Sequence, residues 1–211
     1  RFNVVSDAFA VTQAGHMSPV DYLDLTGKFR EETDRNVWTV LAGSLAYVNR
    51  VIPDSARGGL ETLVRHRVGL AAARLGWEAE PGESELVRQL RGDIIRVLGT
   101  LGNDEETQAQ ARALYARYVE EEGAADPNIL PAVIAIIATV GGAAEYAEFL
   151  QRFRSARTPQ EEQRFLFALG VFRDPALIAQ TLERTINGEV RSQDAPFLLR
   201  AMLSGVHSRG L

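Results

Sequence analysis

The side chains best suited to catalysis or metal binding are few and scattered along this chain. Its 211 residues include three histidines, His16, His66 and His207, and no cysteine. No histidine has a second histidine or a carboxylate at the spacing that places two metal ligands on one helix face, and there is no His-Glu-x-x-His sequence. The sequence therefore predicts no metal site and excludes disulfides and thiolate chemistry.

Nucleophile and phosphate-binding motifs are not found either. There is no Gly-x-Ser-x-Gly sequence, and Gly58-Gly59 and Gly141-Gly142 lack a strand–loop–helix context. Ser6-Asp7 and Ser192-Gln193-Asp194 combine a hydroxyl with a carboxylate, but at predicted helix starts or surfaces, where capping or solvation is expected. Arg200 could face a peptide carboxylate, yet a solvated or ion-paired helix arginine is the simpler interpretation. We predict no catalytic residue, and the substrate-binding residues are unknown.

The elements that position these side chains are predicted to be helices, as the stretch 165–199 illustrates. Asp174 can accept hydrogen bonds from the free N–H groups of a helix start, and Pro175 suits the first helical position. Asn187-Gly188 supplies residues that tolerate a left-handed C-terminal turn. The helix between them is predicted to bury one stripe, formed by Leu177, Ile178, Leu182 and Ile186.

The same pattern of capping residue followed by apolar residues at a 3.6-residue period recurs along the chain. Helix starts are predicted at Ser18-Pro19, at Thr33 or Asp34, at Asp104, at Pro159, and at Ser192 or Asp194. The acidic run Glu120–Glu122 is expected to be a solvated helix end. A strongly apolar helix is predicted from Pro127 to Val140.

No segment shows sustained period-two alternation, so the sequence predicts an all-α fold of about eleven helices. Apolar helices end at Leu101-Gly102, Val140-Gly141 and Leu169-Gly170 with irregular spacing, which favours a degenerate HEAT- or armadillo-like α-α superhelix. We expect one helical domain over 1–211. The chain begins at Arg1 without a signal peptide and stops without a capped finish, so we expect it to be truncated at both ends.

Composition narrows the classes of partner. The formal net charge is −5, which argues against a nucleic-acid partner, since such domains usually carry a basic stripe. No apolar run reaches the roughly 18 residues of a membrane-spanning helix. The residues alone therefore indicate an all-α superhelical domain, without nucleic acid and without a membrane segment.

Several short blocks resemble, in order and spacing, the C-terminal α-helical domain of the M1 family of zinc aminopeptidases, of the aminopeptidase N, puromycin-sensitive and endoplasmic-reticulum types. The resemblance covers nearly the whole chain. The blocks are Ser6–Ala10, Asp21–Leu23, Glu32–Asp34 with Val37-Trp38, Arg74–Trp77, Pro81–Glu83, Ala168–Gly170, Arg173–Pro175 and Gly188–Asp194.

The resemblance implies a non-catalytic domain that helps to enclose the peptide cavity of a metallo-aminopeptidase and controls substrate access. The zinc ligands and the catalytic glutamate would lie upstream, so the implied partners are the upstream catalytic domain of the same chain and peptide substrates. We expect no cofactor in this fragment, zinc in the parent, and a cytoplasmic location. The alternative is a free-standing HEAT-like scaffold that binds a protein on its concave face.

Overall fold

The computed structural model of the chain describes residues 1–121 and 125–206. Within these residues the protein contains eleven α-helices and no strand, which confirms the predicted all-α fold. Short 3₁₀ turns occur at Gly27–Phe29 and Asp54–Ala56. The α-helices are α1 (Phe2–Gln13), α2 (Pro19–Thr26), α3 (Arg35–Val51), α4 (Arg57–Leu75), α5 (Glu85–Thr100), α6 (Glu105–Glu120), α7 (Leu130–Val140), α8 (Ala143–Arg154), α9 (Pro159–Leu169), α10 (Pro175–Ile186) and α11 (Ala195–Ser204).

The predicted caps explain where four of these helices begin: α2 at Ser18, α3 at Asp34, α6 at Asp104 and α10 at Asp174. Asp34 accepts hydrogen bonds from two backbone N–H groups at the start of α3. Asp104 accepts from the N–H of Thr107 in α6, and Asp174 accepts from the N–H of Ala176 in α10. Each acceptor satisfies an N–H that has no partner inside the helix. At the other end of α10, Gly188 takes a φ of 86°, which confirms the predicted left-handed turn.

Three local predictions are wrong. In α10 the buried face is formed by Leu177, Ile178 and Thr181, whereas Ile186, the last residue of the helix, is 84% exposed. Helix α7 begins at Leu130 instead of Pro127, because the preceding residues form a turn in which Asp126 accepts from a backbone N–H. The start of α11 at Asp194 is predicted correctly, but the expected side-chain cap is wrong, because the Asp194 carboxylate accepts from Arg191 instead.

The first compact unit, Arg1–Ala132, contains an apolar core formed by α1, α3, α4 and α5. Helix α1 packs on α3, α3 packs on α4 and α5, and α4 packs on α5. The three longer helices present one buried face each, as their apolar periodicity predicts. The fully or almost fully buried members of this core are Val5, Val37, Trp38, Leu41, Leu45, Leu60, Val64, Val68, Ala71, Leu90, Ile94, Val97 and Leu98.

The second compact unit, Val133–Leu211, is organised by aromatic packing between α8 and α9. Phe149 meets Phe165 and Phe172 edge-on, with ring centroids 5.3 and 5.8 Å apart. Tyr146 meets Phe172 in the same manner at 5.2 Å. Helices α10 and α11 contact each other and α9. The predicted single domain and its superhelical arrangement stay predictions, and His207 and Glu122 lie outside the described residues.

The close approach of α5 to the segment before α7 yields a stability prediction. A Cβ added at Gly92 would lie against the carbonyl oxygen of Asn128, well inside the 3.0 Å that real Cβ atoms keep. Because backbone cannot move away cheaply, we expect Gly92→Ala to lower the free energy of unfolding by about 1–3 kcal/mol. Urea denaturation measures this change.

The matched control is Gly69→Ala in α4, where no atom lies within 4 Å of the added Cβ. There we expect no loss, and a gain of up to about 1 kcal/mol from helix propensity. Equal effects of the two substitutions would show that the Asn128 contact does not limit position 92.

Candidate functional site

The residues singled out for chemistry do not form a reactive cluster within the described parts of each unit. His16 is exposed, and His66 on α4 has its Nδ1 2.8 Å from Arg67 Nη1. Among residues 1–121 and 125–206 no group of three or more His, Cys, Asp or Glu side chains could hold a metal ion. Asp7 and Arg200 are exposed on their helices, while Asp194 is buried against Arg191. In the same described ranges, no helix has the length and apolar character needed to cross a membrane.

Glu32 is a buried charged residue of the first unit. Its side chain is 1% exposed, and its Oε1 accepts hydrogen bonds from the backbone N–H groups of Thr33 (2.8 Å) and Asp34 (2.9 Å). Arg1 Nη1 lies 3.2 Å from the same oxygen. A buried carboxylate needs such compensation, because moving the charge out of water is costly. Glu32 therefore fixes the turn that places Asp34 at the start of α3.

The backbone carbonyl of Glu32 accepts hydrogen bonds from side chains of α3 and α4. The indole Nε1 of Trp38 donates to it at 2.9 Å, and Arg74 Nη2 donates at 2.8 Å. Arg74 is near the end of α4, so the carbonyl connects α3 and α4 with both of its lone pairs in use. The blocks Glu32–Asp34, Val37-Trp38 and Arg74–Trp77, separated along the sequence, thus meet in space.

A buried arginine, Arg91, stabilises the turn between α4 and α5. Arg91 is 1% exposed, and its Nε donates to the carbonyl of Leu75 at 2.9 Å. Its Nη1 and Nη2 donate to the two carboxylate oxygens of Glu83 at 2.7 and 2.5 Å. The hydrogen bonds from Arg91 lower the pKa of the Glu83 carboxyl, against a smaller opposing effect of burial. Through Arg91, both the Arg74–Trp77 block and the Pro81–Glu83 block are bound to α5.

A cleft of about 500 Å³ lies between α3 and α5. Its α3 wall contains three small residues, Ala42, Gly43 and Ala46, and Gly43 has no atom within 4 Å of the position a Cβ would take. A row of small side chains leaves space that a row of leucines would fill. The other lining residues are Arg35, Trp38, Thr39, Asp93, Ile94, Arg96, Val97, Thr100 and Leu101.

The cleft is apolar inside and charged at its edge. Arg35 Nε donates to Asp93 Oδ2 at 2.8 Å across the two helices, and Arg96 is exposed. The hydroxyls of Thr39 and Thr100 donate to backbone carbonyls of their own helices. The lining thus contains no nucleophile paired with a base, but it suits an apolar side chain of a ligand with polar groups at the rim.

The second unit carries its own buried network around Tyr146. The Tyr146 hydroxyl lies 2.9 Å from Thr181 Oγ1 and accepts from Arg184 Nε at 3.4 Å. Arg184 also pairs with Glu189, which accepts in addition from Arg154 Nε at 2.7 Å. Burial raises the pKa of the Glu189 carboxyl, but the hydrogen bonds and charges of the two arginines outweigh it and lower that pKa overall. The Gly188–Asp194 block therefore stabilises α8 and α10 and has no reactive geometry.

Comparison with known proteins agrees with the family resemblance that the sequence blocks indicate. A family model described as the ERAP1-like C-terminal domain matches residues 1–211. The chain belongs to this family. The resemblance to the C-terminal domain of the M1 aminopeptidases is thereby confirmed.

Relatives of this family member are named aminopeptidases. Aminopeptidase M1-A of Oryza sativa subsp. japonica is 29% identical over 218 residues, covering 98% of this chain and 24% of that protein. Aminopeptidase M1 of Arabidopsis thaliana is 29% identical over 220 residues, covering 100% and 24%. The alanine/arginine aminopeptidase of Saccharomyces cerevisiae is 26% identical over 215 residues, covering 100% and 25%. The chain spans about a quarter of the length of these relatives.

Sequence reasoning missed the α3–α5 cleft. Its charged pair, Arg35 and Asp93, is separated by 58 positions, so only the fold brings the two side chains together. The available signal was the group Ala42, Gly43 and Ala46, which leaves a gap on a helix face. Small residues on one helix indicate a cavity only when the helix that packs opposite them is known.

The lowered pKa of Glu189 yields a pH prediction. Its carboxyl titrates at 4.5 when unperturbed, so the stabilisation by the two arginines is complete above that pH and is lost as the pH falls through the lower folded-state pKa. We expect Glu189→Gln to lower stability at pH 7 and to make the acid-induced loss of stability shallower. Urea denaturation between pH 7 and pH 3 measures both effects. An acid-induced loss as steep as in the unsubstituted protein would contradict this account.

Proposed function

We propose that this chain is the non-catalytic C-terminal domain of a zinc-dependent aminopeptidase, where it forms part of the wall of the peptide cavity and limits access to the active site. The family match over 1–211, with relatives named aminopeptidases of about four times the length, carries the proposal. A cavity wall that excludes water and limits the size of the substrate improves the positioning of the peptide. It does so without contributing reacting groups. The predicted cytoplasmic location stays a prediction.

Zinc is implied by the family, and we propose that it binds in the part of the enzyme that precedes this chain. Within 1–121 and 125–206 no group of potential ligands fits the ion. When bound upstream, zinc would supply Lewis-acid activation of water and carbonyl. We propose that this chain contacts only those parts of the peptide that lie away from the reacting bond.

We further propose that the α3–α5 cleft faces the peptide. An apolar side chain several residues from the cleaved bond fits its interior, and Arg96 at the rim suits an acidic group of the substrate. Binding energy obtained at such a remote position can be used to orient the scissile bond. Long peptides would obtain additional binding energy in the cleft, whereas single-residue substrates would not reach it.

The isolated chain tests the non-catalytic assignment. We expect no hydrolysis of aminoacyl-anilide substrates and no stoichiometric zinc by metal analysis, whereas the full-length enzyme turns over and is inhibited by a chelator. Turnover by the isolated chain that survives chelator treatment would overturn the proposal.

Filling the cleft tests its role in the full-length enzyme. Because Gly43→Leu inserts a side chain into the open space, we expect the kcat/KM for long peptides to fall about three- to tenfold, corresponding to roughly 0.7–1.4 kcal/mol of transition-state binding. The kcat/KM for an aminoacyl-anilide should not change. Steady-state kinetics with a peptide length series measures both.

Gly69→Leu is the matched control, since that helical glycine also faces open space but lies outside the cleft lining. We expect it to leave both substrates unaffected. A uniform loss for peptides and anilide in Gly43→Leu would assign the effect to folding and would contradict a peptide-facing cleft.

A further inference from the structure

One oxygen of the buried Glu32 carboxylate is unused. Oε1 receives two backbone N–H groups and the Arg1 guanidinium, but Oε2 is buried and has no hydrogen-bond partner among the described residues. An ionised oxygen left without a donor in a buried place is costly, and natural proteins rarely leave one so. Among residues 1–121 and 125–206, Oε2 of Glu32 therefore has no donor.

The Glu32 carboxylate lies close to the start of α1. Arg1 occupies the N-cap position of α1, and its side chain, 69% exposed, reaches the carboxylate from the outside. Any residue that precedes Arg1 has its Cα about 3.8 Å from that of Arg1. A segment that precedes Arg1 therefore joins α1 at a distance from Glu32 that one arginine side chain spans.

We propose that Glu32 Oε2 is the anchor point for the polypeptide that precedes Arg1 in the full-length enzyme. A hydrogen-bond donor from that segment, a backbone N–H or a side-chain donor, completes the carboxylate and fixes the start of α1. The inference rests on the proposed function only in taking this chain as part of a longer polypeptide with residues before Arg1. The segment is thereby coupled to α3 and α4, which Glu32 already joins.

Glu32→Gln is a specific probe of this contact. The amide oxygen can keep the hydrogen bonds from Thr33 and Asp34, and the NH₂ group then stands where Oε2 stood. The acceptor at that point becomes a donor, so an incoming donor is repelled. Arg1→Gln is the matched control, because it removes the ion pair and leaves Oε2 unchanged.

The experiment measures hydrogen exchange of the α1 amides by mass spectrometry in two contexts, the full-length protein and the chain beginning at Arg1, N-acetylated to remove the terminal charge. We expect Glu32→Gln to reduce the protection of α1 about tenfold more in the full-length protein than in the shorter chain. Arg1→Gln should have the same effect in both contexts.

Equal effects of Glu32→Gln in the two contexts would overturn the proposal, because the missing donor would then be water or a group within the chain. Should the shorter chain not fold, the full-length protein decides alone: Glu32→Gln must reduce protection clearly more than Arg1→Gln, and equal reductions refute the anchor. Since exchange does not depend on turnover, an inactive full-length protein would disprove the proposed function without affecting this result.

Discussion

The buried carboxylate of Glu32 is the constraint on which the first unit depends. A charge that is 1% exposed must be compensated, and the groups that compensate it come from the start of α1 and from the turn before α3. The carbonyl of the same residue receives Trp38 from α3 and Arg74 from α4. Burial of apolar side chains holds these helices together but is not directional. The hydrogen bonds of Glu32 are directional and determine how the helix ends are placed.

Four of the blocks that resemble the family contain residues that stabilise turns or helix ends. Glu32, Arg74, Glu83 and Glu189 each hold a turn or a helix end through hydrogen bonds and ion pairs. These four side chains take part in ion pairs or in hydrogen bonds to backbone groups.

Local physics made much of this fold predictable from the sequence. Asp34, Asp104 and Asp174 begin helices because a cap depends on residues two or three positions away. Ile186 and Asp194 were misjudged because burial and ion pairing depend on distant parts of the chain. The α3–α5 cleft was missed for the same reason, since Gly43 marks a gap only when α5 lies opposite.

The central claim is that this domain contacts peptides far from the reacting bond, and hydrogen exchange of the full-length enzyme tests it most directly. Exchange would be compared with a long non-hydrolysable peptide bound and with a single-residue inhibitor bound, each at saturation. The account predicts that only the long peptide slows exchange in the facing segments of α3 and α5, 35–46 and 93–101. Identical exchange of these segments with both ligands would contradict it.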